Sequence, residues 1–314
     1  MYKGLKVSLV IPAYNEQKLI KPTLESVPDT IDRIYVIDDG STDNTSKVVK
    51  ECQKKDKRIV LIKHKKNQGV GAAIITGYKQ SAKDGYDVAV VIGGDNQMDL
   101  RDLPNFLEPI YKGEADYVKG NRFLLGGNAY TDMPLQRFFG NSVLSFMTKM
   151  ASGYWKIFDT QDGYTAITKE AIEKVDWSKA WKGYGYVSDF LVLFNIYHLR
   201  VRDVPRRAIY LKGERQSQIK IWKYIIKVSL MLIRRFFWRL NTKYFFQNFH
   251  PLIFFYYFGF ILFPVGLLIG LWILIKAFMG PISVNWVILC SLFIITGLQL
   301  LLFAMLFDME QSNY

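Results

Sequence analysis

Three hydrophobic patterns follow one another along this chain. In the first, short apolar runs alternate with longer mixed segments. Val7–Ala13, Arg33–Ile37, Ile59–Lys63 and Val88–Ile92 are short and rich in β-branched residues, and they predict strands. Glu16–Val27, Thr45–Lys57 and Gly69–Lys83 lie between them and predict helices, the last rich in small residues. Strands that are apolar throughout are covered on both faces. Alternating strands and helices therefore imply a parallel sheet flanked by helices, with ligands at the carboxyl ends of the strands. Three polar clusters fall on those ends: Tyr14-Asn15-Glu16, Asp38-Asp39 and Asp95-Asn96-Gln97. The middle one opens Asp38–Asp43, a stretch of turn and helix-capping residues.

The second pattern is less regular. Residues 121–211 mix basic and acidic positions with aromatic ones, which suits the acceptor half of a site. The third pattern belongs to a membrane. Over residues 219–240, Lys220, Lys223, Lys227, Arg234, Arg235 and Arg239 project to one side of a helix. Ile221, Trp222, Ile225, Ile226, Leu232, Ile233, Phe236, Phe237 and Leu240 project to the other. Such a helix is expected to lie in a membrane interface. Leu252–Ile275 and Val284–Phe307 contain no charged residue, and each is long enough as a helix to cross a hydrocarbon core of about 30 Å. Lys276–Ser283, with Gly280 and Pro281, joins them into a hairpin. Basic residues crowd before the first span, among them Arg234, Arg235, Arg239 and Lys243. By the positive-inside rule they place the N-terminal part in the cytoplasm.

Composition narrows the partners. Half of the 314 residues are hydrophobic, which excludes a disordered chain. The net charge of +13, from 41 basic and 28 acidic residues, calls for an anionic partner. Much of the excess borders the membrane, so acidic lipid and phosphorylated substrates explain it better than nucleic acid does. Cys52 and Cys290 have no metal-ligand or disulfide spacing and are expected to be reduced. Met1–Lys6 leads straight into the first strand, without a signal-peptide pattern. At the fourth strand end, Asp95 and Gln97 are two residues apart, so a strand would present both oxygens on one side. That pair suits a hard divalent cation on a nucleotide diphosphate.

The ordered motifs resemble those of family 2 glycosyltransferases with the GT-A fold, above all the polyprenyl-phosphate sugar synthases. They are Ile11–Glu16, Ile37–Asp43, Asn67–Ala73, Gly93–Gln97, Gly120-Asn121-Arg122, Asp159–Tyr164, Tyr186–Asp189 and Gly213–Ser217. The resemblance covers roughly residues 5–220. It implies an α/β fold: a Rossmann-like, mostly parallel catalytic domain over residues 1–218. An amphipathic juxtamembrane region over 219–250, two transmembrane helices over 251–308 and a cytoplasmic tail over 309–314 would follow.

Carried over by position, Pro12, Tyr14 and Glu16 hold the base and ribose, Asp39 reads the base and Ile37 lines the same pocket. Gly94, Asp95, Arg122, Lys212 and Arg215 complete the nucleotide-sugar set, and Asp95 with Gln97 holds Mg²⁺ or Mn²⁺. Arg122 and Arg137 match arginines that bind donor and acceptor phosphates. Asp189 matches the acidic residue near the acceptor. It acts as general base, or it orients a phosphate acceptor that needs none. The catalytic group is then Asp95, Asp189, Arg122 and Arg137. Two positions depart from the family. Gly93 stands where a carboxylate is usual, and Gln218 stands about where a lysine is expected beside Lys212, Ser217 and Lys220.

The expectation is an inverting transferase that moves one sugar from GDP-mannose or a UDP-hexose to a polyprenyl phosphate at the cytoplasmic membrane face. Its partners are the nucleotide-sugar, the lipid phosphate and the bilayer, with a homo-oligomer allowed and no nucleic acid. One alternative is extension of a lipid-linked glycan. The Gln-x-x-Arg-Trp of processive members is absent between residues 190 and 250. The other is a non-catalytic scaffold, favoured by Gly93.

Overall fold

The structure, a computed structural model, describes residues 1–124, 135–207 and 221–311. The chain divides into two compact units, Met1–Arg235 and Phe236–Tyr314. In the first, strands β1 (Val7–Ala13), β2 (Arg33–Asp38), β3 (Ile59–Lys63) and β4 (Val88–Val91) pair in parallel. Strand β6 (Thr165–Thr168) lies antiparallel between β4 and β5 (Tyr117–Asn121), and β7 (Val201–Pro205) pairs in parallel with β5. The order is β3-β2-β1-β4-β6-β5-β7. Two antiparallel steps restore direction, so β5 and β7 end on the same edge as β1, β2 and β4.

Both faces of this sheet are covered, which is why its strands do not alternate. Val7, Leu9, Ile11 and Ala13 of β1 share a core with Ile34, Val36, Val90, Phe106 and Leu107. On the other face Val10, Tyr35 and Ile37 are buried, with Ile74 and Tyr78 of helix α3 (Val70–Lys83). Each large apolar side chain taken out of water contributes about 1.5–3 kcal/mol. Helix α1 is shorter than the pattern predicts, at Ile20–Glu25. Asn15, Glu16 and Gln17 are spent instead on hydrogen bonds to Ser41, Asp43 and Thr45. Helix α2 is Thr45–Lys55 and α4 is Leu103–Tyr111. Helices α5 (Leu135–Ser152), α6 (Lys169–Lys174) and α7 (Tyr186–Ile196) follow.

The amphipathic helix α8 spans Ile221–Arg239. Its buried residues in the first unit are Val228, Met231 and Leu232, while Ile226 and Ile233 are exposed. Arg235, which the sequence pattern groups with the other cations, pairs with Asp189.

The second unit contains helices α9 (Leu252–Ala277) and α10 (Val284–Glu310). Each includes an 18-residue stretch of mean hydropathy 2.5, and both are long and apolar enough to cross a membrane. They pack closely at Gly297, where a Cβ would meet the Phe263 backbone nitrogen at 2.4 Å. Small residues at helix contacts serve the same end in membranes generally. At the end of α10 the buried Asp308 is matched by Arg239, with contacts of 2.8 and 2.7 Å, and by the Tyr244 hydroxyl at 2.6 Å. A buried charge needs such partners. Beside them, burial and then Arg239 push the Lys243 ammonium down to about 8.

Candidate active site

Two strand ends are joined first. The Asp39 N–H donates to the Ala13 carbonyl at 2.9 Å, extending the β1–β2 ladder in which Pro12 faces Ile37. Beyond it, Asn15 takes a left-handed conformation (φ 58°), and its side-chain oxygen accepts from Thr42 N at 2.9 Å. Glu16 N donates to the Thr45 hydroxyl at 2.9 Å. The Tyr14-Asn15-Glu16 turn is thus tied to the Asp38–Thr45 loop, with the Tyr14 ring 43% exposed at the edge. An exposed, anchored ring of this kind offers a stacking face.

Asp39 is buried and already occupied. Its carboxylate accepts from Gln68 N at 2.9 Å and Gly69 N at 2.8 Å, and it bonds His64 Nδ1 at 2.7 Å. His64 Nε2 in turn meets the Thr76 hydroxyl at 3.0 Å. A carboxylate offers about four lone-pair positions, so room remains for one more donor. Gly69 has φ +97°, and a Cβ there would lie 2.4 Å from the Lys182 carbonyl. That carbonyl accepts from Ala72 N at 3.2 Å. The first turn of α3 is therefore capped by the chain itself.

Asp95 stands beyond the end of β4, which stops at Val91. Its relation to Gln97 consequently comes from a turn through Asn96 (φ 54°), not from strand alternation as the sequence suggested. The Asp95 carboxylate accepts from Gln97 N at 3.3 Å and leans back over Gly93. A Cβ on Gly93 would be 2.8 Å from its Oδ1. Burial raises the Asp95 pKa above the ordinary value, with Gln97 N and Arg206 opposing the shift. Among the described residues, no three acidic, histidine or cysteine side chains gather where a metal could sit. A buried, incompletely compensated carboxylate nevertheless fits Mg²⁺ or Mn²⁺ of the kind held by one or two carboxylates plus substrate phosphates.

Arg122 and Arg206 occupy equivalent places on neighbouring strands. Asn121 of β5 pairs with Pro205 of β7, so the next residue of each chain segment is an arginine at the sheet edge. Arg122 forks onto Asp159 with contacts of 2.7 and 2.7 Å. Its Nε also lies 3.6 Å from Asp162, whose carboxylate takes Arg206 Nε at 2.5 Å. Burial works against the Asp162 charge, but Arg206 and Arg122 outweigh it and hold the carboxyl below the ordinary range. Arg206 continues to the Gln97 carbonyl at 3.4 Å. Asp95, Gln97, Arg206, Asp162, Arg122 and Asp159 thus form one connected set. Arg206 was not singled out from the sequence; an arginine following a short strand is its signal.

Asp189 belongs to a different set. It is fully buried in the first turn of α7. It accepts from Trp181 N at 2.7 Å and pairs with Arg235, whose guanidinium also reaches the Lys179 carbonyl. Burial raises its pKa, with Arg235 opposing. Asp189 thereby secures the segment that delivers the Lys182 carbonyl to α3. Arg137 lies on α5, but its side chain is outside the described residues, as are Lys212, Gly213, Arg215, Ser217, Gln218 and Lys220.

Known proteins resemble this chain in sequence and fold. Residues 8–176 match the family described as glycosyl transferase family 2. The UDP-N-acetylglucosamine–dolichyl-phosphate N-acetylglucosaminyltransferase of Methanococcus voltae is 34% identical over 65% of this chain and 86% of its own. The polyprenol monophosphomannose synthase of Mycolicibacterium smegmatis is 29% identical over 58% of this chain and 69% of its own. Among solved structures, the glucosyl-3-phosphoglycerate synthase of Mycobacterium tuberculosis, in complex with Mn²⁺, UDP and glucosyl-3-phosphoglycerate, superposes with a TM-score of 0.54. At 20% identity, over 75% of this chain and 80% of that one, it shares the fold. The sheet, the ordered motifs and these relatives agree: the chain belongs to glycosyltransferase family 2.

Proposed function

We propose that this glycosyltransferase moves a single sugar from a nucleotide-sugar, GDP-mannose or a UDP-hexose, to a polyprenyl or dolichyl phosphate at the cytoplasmic membrane face, with inversion. The observation that carries this reading is a diphosphate-type corner at Asp95 and Arg206 in a chain with two long apolar helices. The name of the Methanococcus voltae relative, with its dolichyl-phosphate acceptor, supports it.

The chemistry needs little from the protein beyond placement and charge. A lipid phosphate oxygen attacks the anomeric carbon; the bond to the nucleoside diphosphate breaks, and both electrons leave with it. The phosphate monoester is already anionic, so no base has to remove a proton. Tyr14, Pro12, Glu16, Ile37 and Asp39 form the base and ribose end. Gly94, Asp95, Gln97 and Arg206 face the diphosphate, with Arg122 behind them, held by Asp159. Lys212 and Arg215 belong to the donor side, and Arg137 to the acceptor phosphate. Mg²⁺ or Mn²⁺ held by Asp95 and Gln97 would offset charge on the leaving diphosphate. Asp189 orients the acceptor side through the segment it anchors.

The test incubates membranes containing the protein with labelled GDP- and UDP-sugars and polyprenyl phosphate. Label is expected in the lipid phase with one donor class. No lipid-phase label with any common donor overturns the reading.

A further inference from the structure

The carboxylate at the base end of the pocket is nearly used up by the chain itself. Asp39 and His64 are both buried. Asp39 Oδ1 takes Gln68 N at 2.9 Å and His64 Nδ1 at 2.7 Å, while Oδ2 takes Gly69 N at 2.8 Å. A carboxylate only accepts, so His64 Nδ1 is the donor. Each carboxylate oxygen has two lone pairs. Both on Oδ1 are therefore filled, and one remains, on Oδ2. The arrangement is anchored from behind. His64 N donates to the Asp38 carbonyl at 2.9 Å, which carries the β2–β3 pairing one residue past Lys63. The far side of the ring is held too. Nε2 lies 3.0 Å from the Thr76 hydroxyl, which donates to the Ala72 carbonyl at 3.0 Å. Asp39 N is tied to the Ala13 carbonyl. Turning the carboxylate to free Oδ1 would break its three contacts together.

We propose that His64 determines which base this pocket accepts: by filling Asp39 Oδ1 it leaves one acceptor, which suits uracil and not guanine. His64 acts on the base through Asp39, as a positioning residue. Guanine offers a carboxylate two neighbouring donors, its ring N1–H and its 2-amino group, and both carboxylate oxygens are needed to take them. Uracil offers one, its ring N3–H. With Oδ1 filled, Asp39 serves uracil fully and leaves one guanine donor without a partner on it. An N–H taken from water and left unpaired weakens binding about tenfold or more. The inference rests on the nucleotide-sugar reading of this pocket. Between the two donors which that reading leaves open, it selects the UDP-sugar.

The test measures nucleotide binding by calorimetry on full-length protein in detergent, with Mg²⁺ present. UDP should bind about tenfold or more tighter than GDP. N3-methyl-UDP, which lacks the ring donor, should bind about tenfold weaker than UDP. Inosine diphosphate, which lacks only guanine's 2-amino group, should bind at least as tightly as GDP. GDP as tight as UDP, GDP tighter than inosine diphosphate, or N3-methyl-UDP equal to UDP each overturns the inference. Transfer from a GDP-sugar to the lipid would then still uphold the transferase reading. No nucleotide bound at all overturns both. UDP selectivity without any lipid product overturns the acceptor half of that reading and supports the inference. Two variants address His64 itself. His64→Ala vacates Oδ1 and should narrow the UDP preference about fivefold or more. His64→Asn, whose amide can donate from the place of Nδ1, should keep it. A purely structural His64 would weaken both nucleotides equally, and an unchanged UDP-to-GDP ratio in a folded His64→Ala contradicts the proposal. The N3-methyl and inosine arms use the unaltered chain, so they decide the matter if His64→Ala fails to fold.

Discussion

Gly93→Ala should weaken the proposed Mg²⁺ or Mn²⁺ site at Asp95 while leaving the fold intact. The added Cβ would stand 2.8 Å from Asp95 Oδ1, 3.3 Å from Cγ and 3.6 Å from Oδ2. A carbon–oxygen contact settles at roughly 3.4 Å, so the carboxylate must withdraw by about 0.6 Å. The obstructing atoms are the end of a short side chain, and it yields by turning. The backbone has no reason to move. Metal–ligand distances tolerate only about 0.2 Å, and disturbing the support of a ligand typically lowers metal affinity about 10–100-fold. Mn²⁺ binding in the presence of UDP or GDP, followed by calorimetry or by the free-Mn²⁺ paramagnetic signal, should weaken by that factor. The unfolding midpoint in metal-free buffer should match the parent's. Metal affinity in Gly93→Ala within twofold of the parent's, alongside a large loss in Asp95→Asn, would refute the reasoning.

Other residues give further expectations. The folded-state pKa of Asp95 lies above its unfolded value, so the folded protein binds more protons between the two. Metal-free stability therefore falls as pH rises from about 3.9 to the raised value, and stays lower above it. Asp95→Asn lacks this loss. Its melting temperature should overtake the parent's across that window and remain higher at neutral pH; a parent that gains on the variant as pH rises contradicts the assignment. Asp189→Ala strands Arg235 and frees Trp181 N, and should lower unfolding stability by about 3 kcal/mol in a denaturant titration. Arg206→Ala removes charge beside the diphosphate corner, and transfer should drop about a hundredfold at saturating donor. A drop confined to KM would instead make Arg206 a plain binding contact.

Much of the fold could be read from the residues because the first four strands are short apolar runs ended by polar turns. β1 and β3 have the predicted limits, and β2 and β4 differ by one residue at one end. The second half of the sheet was opaque for physical reasons. β6 has four residues, pairs antiparallel and includes two threonines, so it lacks the continuous apolar run that marks β4 beside it. Helix α1 was overestimated because local pattern does not reveal that Asn15–Gln17 bond across to another loop. The site divides in the same way. Asp95 announces itself as a carboxylate closing an apolar strand. Arg206 looks like one more cation in a basic chain until β7 is seen beside β5. The burial of Asp189 depends on Arg235, 46 residues away in sequence, and no local pattern records such a pairing.

Mass spectrometry of the lipid product tests the central claim most directly. Purified full-length protein in vesicles is given dolichyl phosphate, Mg²⁺ and UDP- or GDP-sugars in turn. The expected product is a lipid heavier by one sugar with one donor class, with inverted anomeric configuration, and none with Asp95→Asn. Unchanged lipid with every donor, retained configuration, or a ladder of added sugars would contradict it.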